Sequence, residues 1–428
     1  MSKTSPAPTS YPGGLTRRQV VSWRNAVFLI FAMPGVAIAS WVSRLPAVRD
    51  ALEIGPAQVG LLIFGMAAGS ILGLVVSSHL IARIGARTAI TAGLTATAVG
   101  LAIAGVGGTT PNFIIAFGGL LIFGAASGIT DVAMNVSGAA NERALQRSIM
   151  PIFHAFFSFG TMVGAGLGAL AELAGLPIVI HLALVAVAIV AVAFGATRFV
   201  QPETVIEANG EPVASDDSSM GWRGRLGIWK DPRTLLIGVI VLAAAFAEGS
   251  ANDWLAIAMV DGHDVSNANG ALVFGIFVTA MTVGRLAGVF LLDRFGRVAV
   301  LRASFLLASI GLVIVIFVPI PLIAVAGAVL WGLGAALGFP VGMSAAADDP
   351  RTAAARVSAV ATIGYFAFLV GPPVIGLLGQ YVGVLDALLV VLVLCAIGAV
   401  VAGAAREPSR QTSAPVDTFS DPQVPSGS

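Results

Sequence analysis

Three titratable side chains interrupt strongly apolar runs of this 428-residue sequence: Asp131, His154 and Glu248. Each has a small polar side chain four residues on: Asn135, Ser158 and Asn252. On a helix that spacing puts both groups on one face, so each pair offers a proton-exchanging group beside a neutral hydrogen-bonding one. A carboxyl group in apolar surroundings can keep a proton at physiological pH, and an imidazole titrates near neutrality. Such pairs suit proton carriage and hydrogen bonding to a polar solute. The competing reading makes each a structural group, bonded to a neighbouring helix.

Other polar and aromatic groups qualify less directly. Arg44 closes the first apolar run and is expected to snorkel outward, or else to meet an anionic solute in the cavity. Arg285 is expected to pair structurally, and Asp253 to be solvated at an interface. Trp41, Trp254, Trp331 and Tyr365 could stack on a ring-shaped solute, although interfacial anchoring is the ordinary explanation for Trp41 and Trp254.

Composition decides what must position these groups. Apolar residues make up 57% of the chain and charged ones 11%, where a soluble domain carries about 25% charged residues. Mean hydropathy is +0.94. So few charges cannot cover a water-soluble surface, and so apolar a chain is not disordered. The net charge of +1 gives nucleic acid nothing to bind. The single cysteine, Cys395, excludes an internal disulfide framework and any multi-cysteine metal site.

A helix spanning the hydrocarbon needs ~20 mostly apolar residues. Twelve stretches qualify, near 25–43, 57–81, 87–107, 112–138, 149–171, 177–198, 234–258, 268–291, 299–317, 321–345, 355–379 and 384–404. They lack the two-residue alternation of barrel strands. With the N-terminus inside, every Lys and Arg falls on the inner side except Arg44, Arg49 and the in-span Arg285. This predicts a multi-pass protein of the inner (plasma) membrane with both termini cytoplasmic. The expected division is a flexible tail 1–24, a six-helix half 25–199, a cytoplasmic linker 200–233, a second six-helix half 234–404 and a disordered tail 405–428.

The halves repeat one another. Arg83, Gly85 and Arg87 follow span two, and Asp293, Arg294, Gly296 and Arg297 follow span eight, at an almost constant offset shared by Gly73 with Gly284 and Trp41 with Trp254. Repeated halves are a signature of secondary transporters whose site lies at the midplane between them. Glycines recur every fourth residue at Gly65, Gly69 and Gly73, at Gly160, Gly164 and Gly168, and at Gly284 and Gly288. They give either ordinary close helix packing or a sliding contact between halves.

With twelve spans, a central loop and the run Asp293-Arg294-Phe295-Gly296-Arg297, the chain resembles the major facilitator superfamily. That resemblance implies an all-α membrane fold of two pseudo-symmetric halves, a monomer, and a cytoplasmic latch built on Asp293, Arg294, Gly296 and Arg297. The first-half copy keeps only Arg83, Gly85 and Arg87, with Ala82 in the acidic place. The runs Ala245–Trp254, Val298–Ser304 and Phe368–Pro373 are similar to those of the YbjJ-type bacterial inner-membrane transporters, relatives of the fucose permease, a proton–sugar symporter. Thr130–Asn135 resembles the permease's Glu-Thr-Ala-Ala-Asn run, whose acid takes part in proton coupling. His154 resembles a substrate-contacting Gln and Phe157 a nearby polar contact. The permease's acid in span one has no counterpart in Ala37–Ser43.

No phosphate-binding Gly-x-x-x-x-Gly-Lys-Ser/Thr loop and no His-Glu-x-x-His motif is present, so neither ATP, metal nor other cofactor is expected, nor an enzyme. The expectation is a proton-coupled transporter moving a small polar or sugar-like solute across the lipid bilayer by alternating access. Asp131, His154 and Glu248 are its coupling candidates. Asn135, Asn252, Ser158, Arg44, Trp254 and Tyr365 are its cavity candidates. A proton antiporter exporting drugs or metabolites is the alternative, and a non-transporting sensor on the same fold the third reading.

Overall fold

The computed structural model describes residues 11, 14–146, 149–202, 227–349 and 352–407. Residues 203–226 of the expected linker lie outside these, as does most of both expected tails. Helices dominate: α1 (Arg17–Val42), α2 (Leu45–Leu52), α3 (Pro56–Thr109), α4 (Phe113–Leu145), α5 (Met150–Leu173) and α6 (Ile178–Thr197) precede the linker. After it come α7 (Pro232–His263), α8 (Asn267–Phe317), α9 (Pro321–Ala335), α10 (Gly338–Ala346), α11 (Ala353–Val382), α12 (Val384–Ala387) and α13 (Leu389–Val401).

Two elements are too long for one crossing. A straight helix of α3's 54 residues would run roughly 80 Å, against about 30 Å of hydrocarbon. It breaks at Gly85, where φ is 75° and ψ 156°. α8 breaks at Gly296, with φ 74° and ψ 164°. A side chain at either position would clash with its own backbone, so glycine lets the chain reverse there and cross again. Each break falls inside the repeated arginine–glycine motif, at equivalent places in the two halves. Among the described residues, eleven helical segments are long and apolar enough to span, with the two limbs of α3 counted together. Twelve crossings result, and the large apolar side chains left outermost, such as Val75, Ile114, Val187 and Val400, suit a lipid solvent.

The glycine stripes pack helices inside each half. Gly69 and Gly73 of α3 lie against Leu121 and Ala125 of α4, Gly160 and Gly164 of α5 against Ala32 and Val36 of α1, and Gly284 of α8 against Leu333 and Ala336. The expected sliding contact is elsewhere. A Cβ on Gly60 of α3 would stand 2.7 Å from the carbonyl oxygen of Pro372 in α11, and one on Gly376 would stand 2.6 Å from that of Pro56. These two glycines bring the first and last six crossings into backbone contact.

That junction lies on the face opposite the chain termini. The same far face carries an ion pair between the halves: Arg49 donates to both oxygens of Asp261 at 2.5 and 2.6 Å. Asn267 donates to Asp50 at 3.0 Å, and Ala165 of α5 meets Gly275 of α8. Burial lowers the Arg49 guanidinium's affinity for its proton, but hydrogen bonds to Asp261 and Asp50 outweigh this and hold it above its ordinary value. On the face that bears the termini, every ion pair among the described residues joins groups of the last six crossings. Asp348 receives Arg233 at 2.8 Å and Arg297 at 2.6 Å, and Asp231 receives Arg356 at 3.1 Å. The far face is therefore closed between the halves, and on the terminal face no ion pair among the described residues joins them.

Candidate functional site

A cavity of about 300 Å³ lies between the halves, level with the middles of α1, both halves' inner helices and α11. Its wall is mostly apolar: Pro34, Ile38, Ile63, Met66, Phe123, Phe157, Phe368 and Leu369 contribute. The polar exceptions are Ser70, Ser127, Asp131, Asn252, Asp253 and Tyr365. Size and lining match a small-molecule site, in which a few polar groups orient a ligand held by apolar surface.

Asp131 is carried into this cavity by α4 and is exposed to it. It has no ion pair. Asn135, one turn on, donates to the Asp131 backbone oxygen at 2.8 Å and reaches its Oδ1 only at 3.4 Å. His154 of α5 is within electrostatic reach of the Asp131 carboxylate, and so is the Tyr365 hydroxyl of α11. The imidazole packs edge-on to Phe31, with ring centroids 5.3 Å apart, and its far side is exposed. The structure thus brings Asn135, His154 and Tyr365 near Asp131, but of these only Tyr365 lines the cavity, with Asp131 and Asn252, and Asn135 and His154 are not among its lining residues.

Several expected members are placed differently. Glu248 does not line the cavity: both its oxygens accept from Arg285 Nη2 at 2.8 Å, tying α7 to α8. A carboxylate inside the membrane needs a counter-charge, and the guanidinium supplies it. Arg44 neither snorkels nor meets the cavity. It is 3% exposed and binds Glu172 at 3.0 Å and the Leu176 carbonyl at 2.7 Å, closing α1 onto the end of α5. Burial holds its guanidinium below the ordinary value, offset in part by Glu172. Ser158 is buried away from the cavity, because Phe157 takes the inward position. Trp254 is fully buried, as are Trp41 and Trp331, so none is an interfacial anchor. Trp254 backs the Gly376 contact and Trp331 packs edge-on to Phe277 at 5.5 Å.

The latch motif is also rearranged. Arg297 takes Asp348 and Ser344 as partners, while Asp293 and Arg294 are exposed, the latter over its neighbour Phe295. Arg83 and Arg87 are exposed and make no ion pair among the described residues. Asp348 closes α10, beyond the motif, so motif spacing gave no sign of it.

Asp253 is the residue that sequence reasoning missed. It was expected at a wetted interface, yet α7 continues ten residues beyond it to His263. The carboxylate therefore sits deep in the cavity wall, and no hydrogen bond or ion pair joins it to another described residue. The apolar run Leu255–Val260 that follows it was the signal for a longer helix.

The family model of the Major Facilitator Superfamily matches residues 24–290 and 237–425, which together take in nearly the whole chain. The chain belongs to the Major Facilitator Superfamily. An uncharacterized MFS-type transporter of Yersinia pestis is 30% identical over 362 residues, covering 84% of this chain and 90% of that protein. Membrane protein MosC of Rhizobium meliloti is 28% identical over 382 residues, 88% of each. Among solved structures, the nucleoside transporter NupG superposes with a TM-score of 0.69 at 16% identity, covering 90% of this chain and 98% of NupG. The Escherichia coli fucose:proton symporter FucP superposes at 0.59 with 17% identity, covering 92% of this chain and all of FucP's. Those identities carry the fold alone. The superfamily is one of multi-pass membrane transporters, so this chain moves a small molecule across a membrane.

Proposed function

We propose that the chain is a proton-coupled secondary transporter that works by alternating access, as a monomer, with the proton carried at Asp131. The observation that supports this is a carboxylate open to the central cavity, without an ion pair, beside the imidazole of His154. A proton on Asp131 removes the cost of an uncompensated charge at membrane depth while the halves rock. Without it, that cost favours taking up either a proton or a solute. His154 is a natural exchange partner, and Glu248, held by Arg285, serves to fix α7 against α8.

The Lys and Arg distribution favours a cytoplasmic terminal face in a plasma-membrane protein. In that setting the arrangement described is the inward-facing one, sealed outside by Arg49 with Asp261. The runs 245–254, 298–304 and 368–373 favour the YbjJ-type branch, related to the fucose permease. Import of a small polar or sugar-like solute by symport is the first reading. The apolar lining, with Phe123, Phe157 and Phe368, favours export by antiport as the second.

Proteoliposomes loaded with a pH dye separate the two. A panel of sugars, sugar acids and amphipathic cations is added outside vesicles of known protein orientation. Protons entering with a solute establish symport; protons leaving against it establish antiport. Solute flux with no proton movement under any condition would contradict the proposal.

A further inference from the structure

The charges on the cavity wall do not balance. Of its lining residues, Asp131 and Asp253 are acidic and none is basic. The arginines nearest the membrane interior are already engaged: Arg285 by Glu248, Arg44 by Glu172, and Arg49 by Asp261 and Asp50. The two acids come from different halves, α4 and α7. Asp131 feels the neighbouring His154, but Asp253 has no counter-charge among the described residues. An unpaired carboxylate in an apolar enclosure is costly, and a complementary charge on the solute offsets it. An anionic solute would add to the imbalance, and a neutral one would leave it in place. The aromatic faces of Phe123, Phe157 and Phe368 on the same wall attract an organic cation and shelter its apolar body.

We infer that the cavity takes a solute bearing an organic ammonium group, its charged nitrogen at Asp131 and Asp253 and its body against the three phenylalanines. This narrows the substrate class and rests on the reading of the cavity as the transport site. An ammonium that meets acids of both halves would also couple its own binding to their approach.

The test uses the full chain in nanodiscs and titration calorimetry with two matched series at one pH. One is glucosamine, glucose and glucuronate; the other is phenethylamine, phenylethanol and phenylacetate. At least one amine should bind ten times more tightly than its neutral analogue, and neither acid should bind. Asp253→Asn should weaken amine binding at least tenfold, and Asp253→Glu should retain most of it, with both variants melting as the parent does. Absence of binding by both amines, equal binding of a neutral analogue, or full amine affinity in folded Asp253→Asn would overturn the inference. Failure of the proton-coupling proposal reads differently. Amine binding and uptake without proton movement would support the ligand class and remove the coupling, whereas proton movement driven by glucose and not by glucosamine would keep the coupling and overturn the class.

Discussion

Asp131 and Glu248 look alike in the sequence. Each is an acid in an apolar helix, with an asparagine four residues later, one in each half of the molecule. The fold treats them oppositely. Glu248 is neutralised by a two-oxygen contact with Arg285 and faces its own half. Asp131 has only a long contact to Asn135 and opens to the cavity. The difference teaches that local pattern selects which acids can act, and the neighbouring helix decides which one is free to do so. A paired acid braces a half, and an unpaired one is available to protons and solute.

The largest effect should come from removing the brace. Arg285→Leu strands Glu248 among apolar helices, and breaking a buried pair costs about 3–5 kcal/mol. Both side chains retain some exposure, 31% and 18%, so a loss near the low end is expected, read as a fall in melting temperature in detergent. Replacing both partners, as Glu248→Gln with Arg285→Gln, should recover most of it. A single variant as stable as the parent would show that the pair does not brace the half.

A smaller effect is expected at the junction of the halves. Arg49→Ala removes the far-face ion pair, for which about 0.2–1 kcal/mol is typical when partners are partly exposed. Spin labels at Glu53 and Asp264, exposed on opposite sides of that junction, should report a larger population at long distance, by up to about fivefold. Unchanged distances would mean that the Gly60 and Gly376 contacts alone hold this face shut.

Asp231 gives a pH-dependent effect outside the membrane. It caps α7, accepting from the Thr234 hydroxyl at 2.6 Å and amide at 3.1 Å. The Thr234 hydroxyl, more than the nearby Arg356, holds its carboxyl below the ordinary carboxylate value against the opposing effect of burial. A depressed folded-state pKa stabilises fully above the ordinary carboxylate range and is lost as pH falls through the folded value. Asp231→Ala should therefore cost about 1 kcal/mol at neutral pH, and the gap to the parent should close in strong acid. A gap independent of pH would assign the cost to packing. The smallest change in stability is expected for Asp131→Asn, within about 0.5 kcal/mol, because the carboxylate holds no neighbour in place.

Much of the architecture was legible. Hydropathy located every crossing, and the repeated motif marked Gly85 and Gly296, where a positive φ lets the chain turn back. Asp131, Asn252 and Tyr365, which line the cavity, could be picked out because polar residues stand out against apolar helices, whereas Asn135 stands beside Asp131 without lining it. What escaped was long-range. Arg285 lies far from Glu248 in sequence, and no helical periodicity pairs them. Arg44 looks like an interfacial arginine until Glu172, distant in sequence but carried alongside it on α5, is seen to pair with it. Asp253 was misjudged through an error in helix length: α7 runs to His263, so the residue sits deeper than its distance from the apolar core suggested. The tryptophans went the same way, since an aromatic near a span end reads as an anchor whether it faces lipid or a neighbouring helix.

The central claim is that the unpaired acid, not the paired one, carries the proton. It is tested by solute-driven proton flux in proteoliposomes containing the parent, Asp131→Asn or Glu248→Gln, each checked for folding and orientation. The account predicts that, at solute concentrations that saturate each protein, folded Asp131→Asn abolishes solute-driven proton movement and folded Glu248→Gln still moves protons. Parent-like proton flux in Asp131→Asn would contradict it.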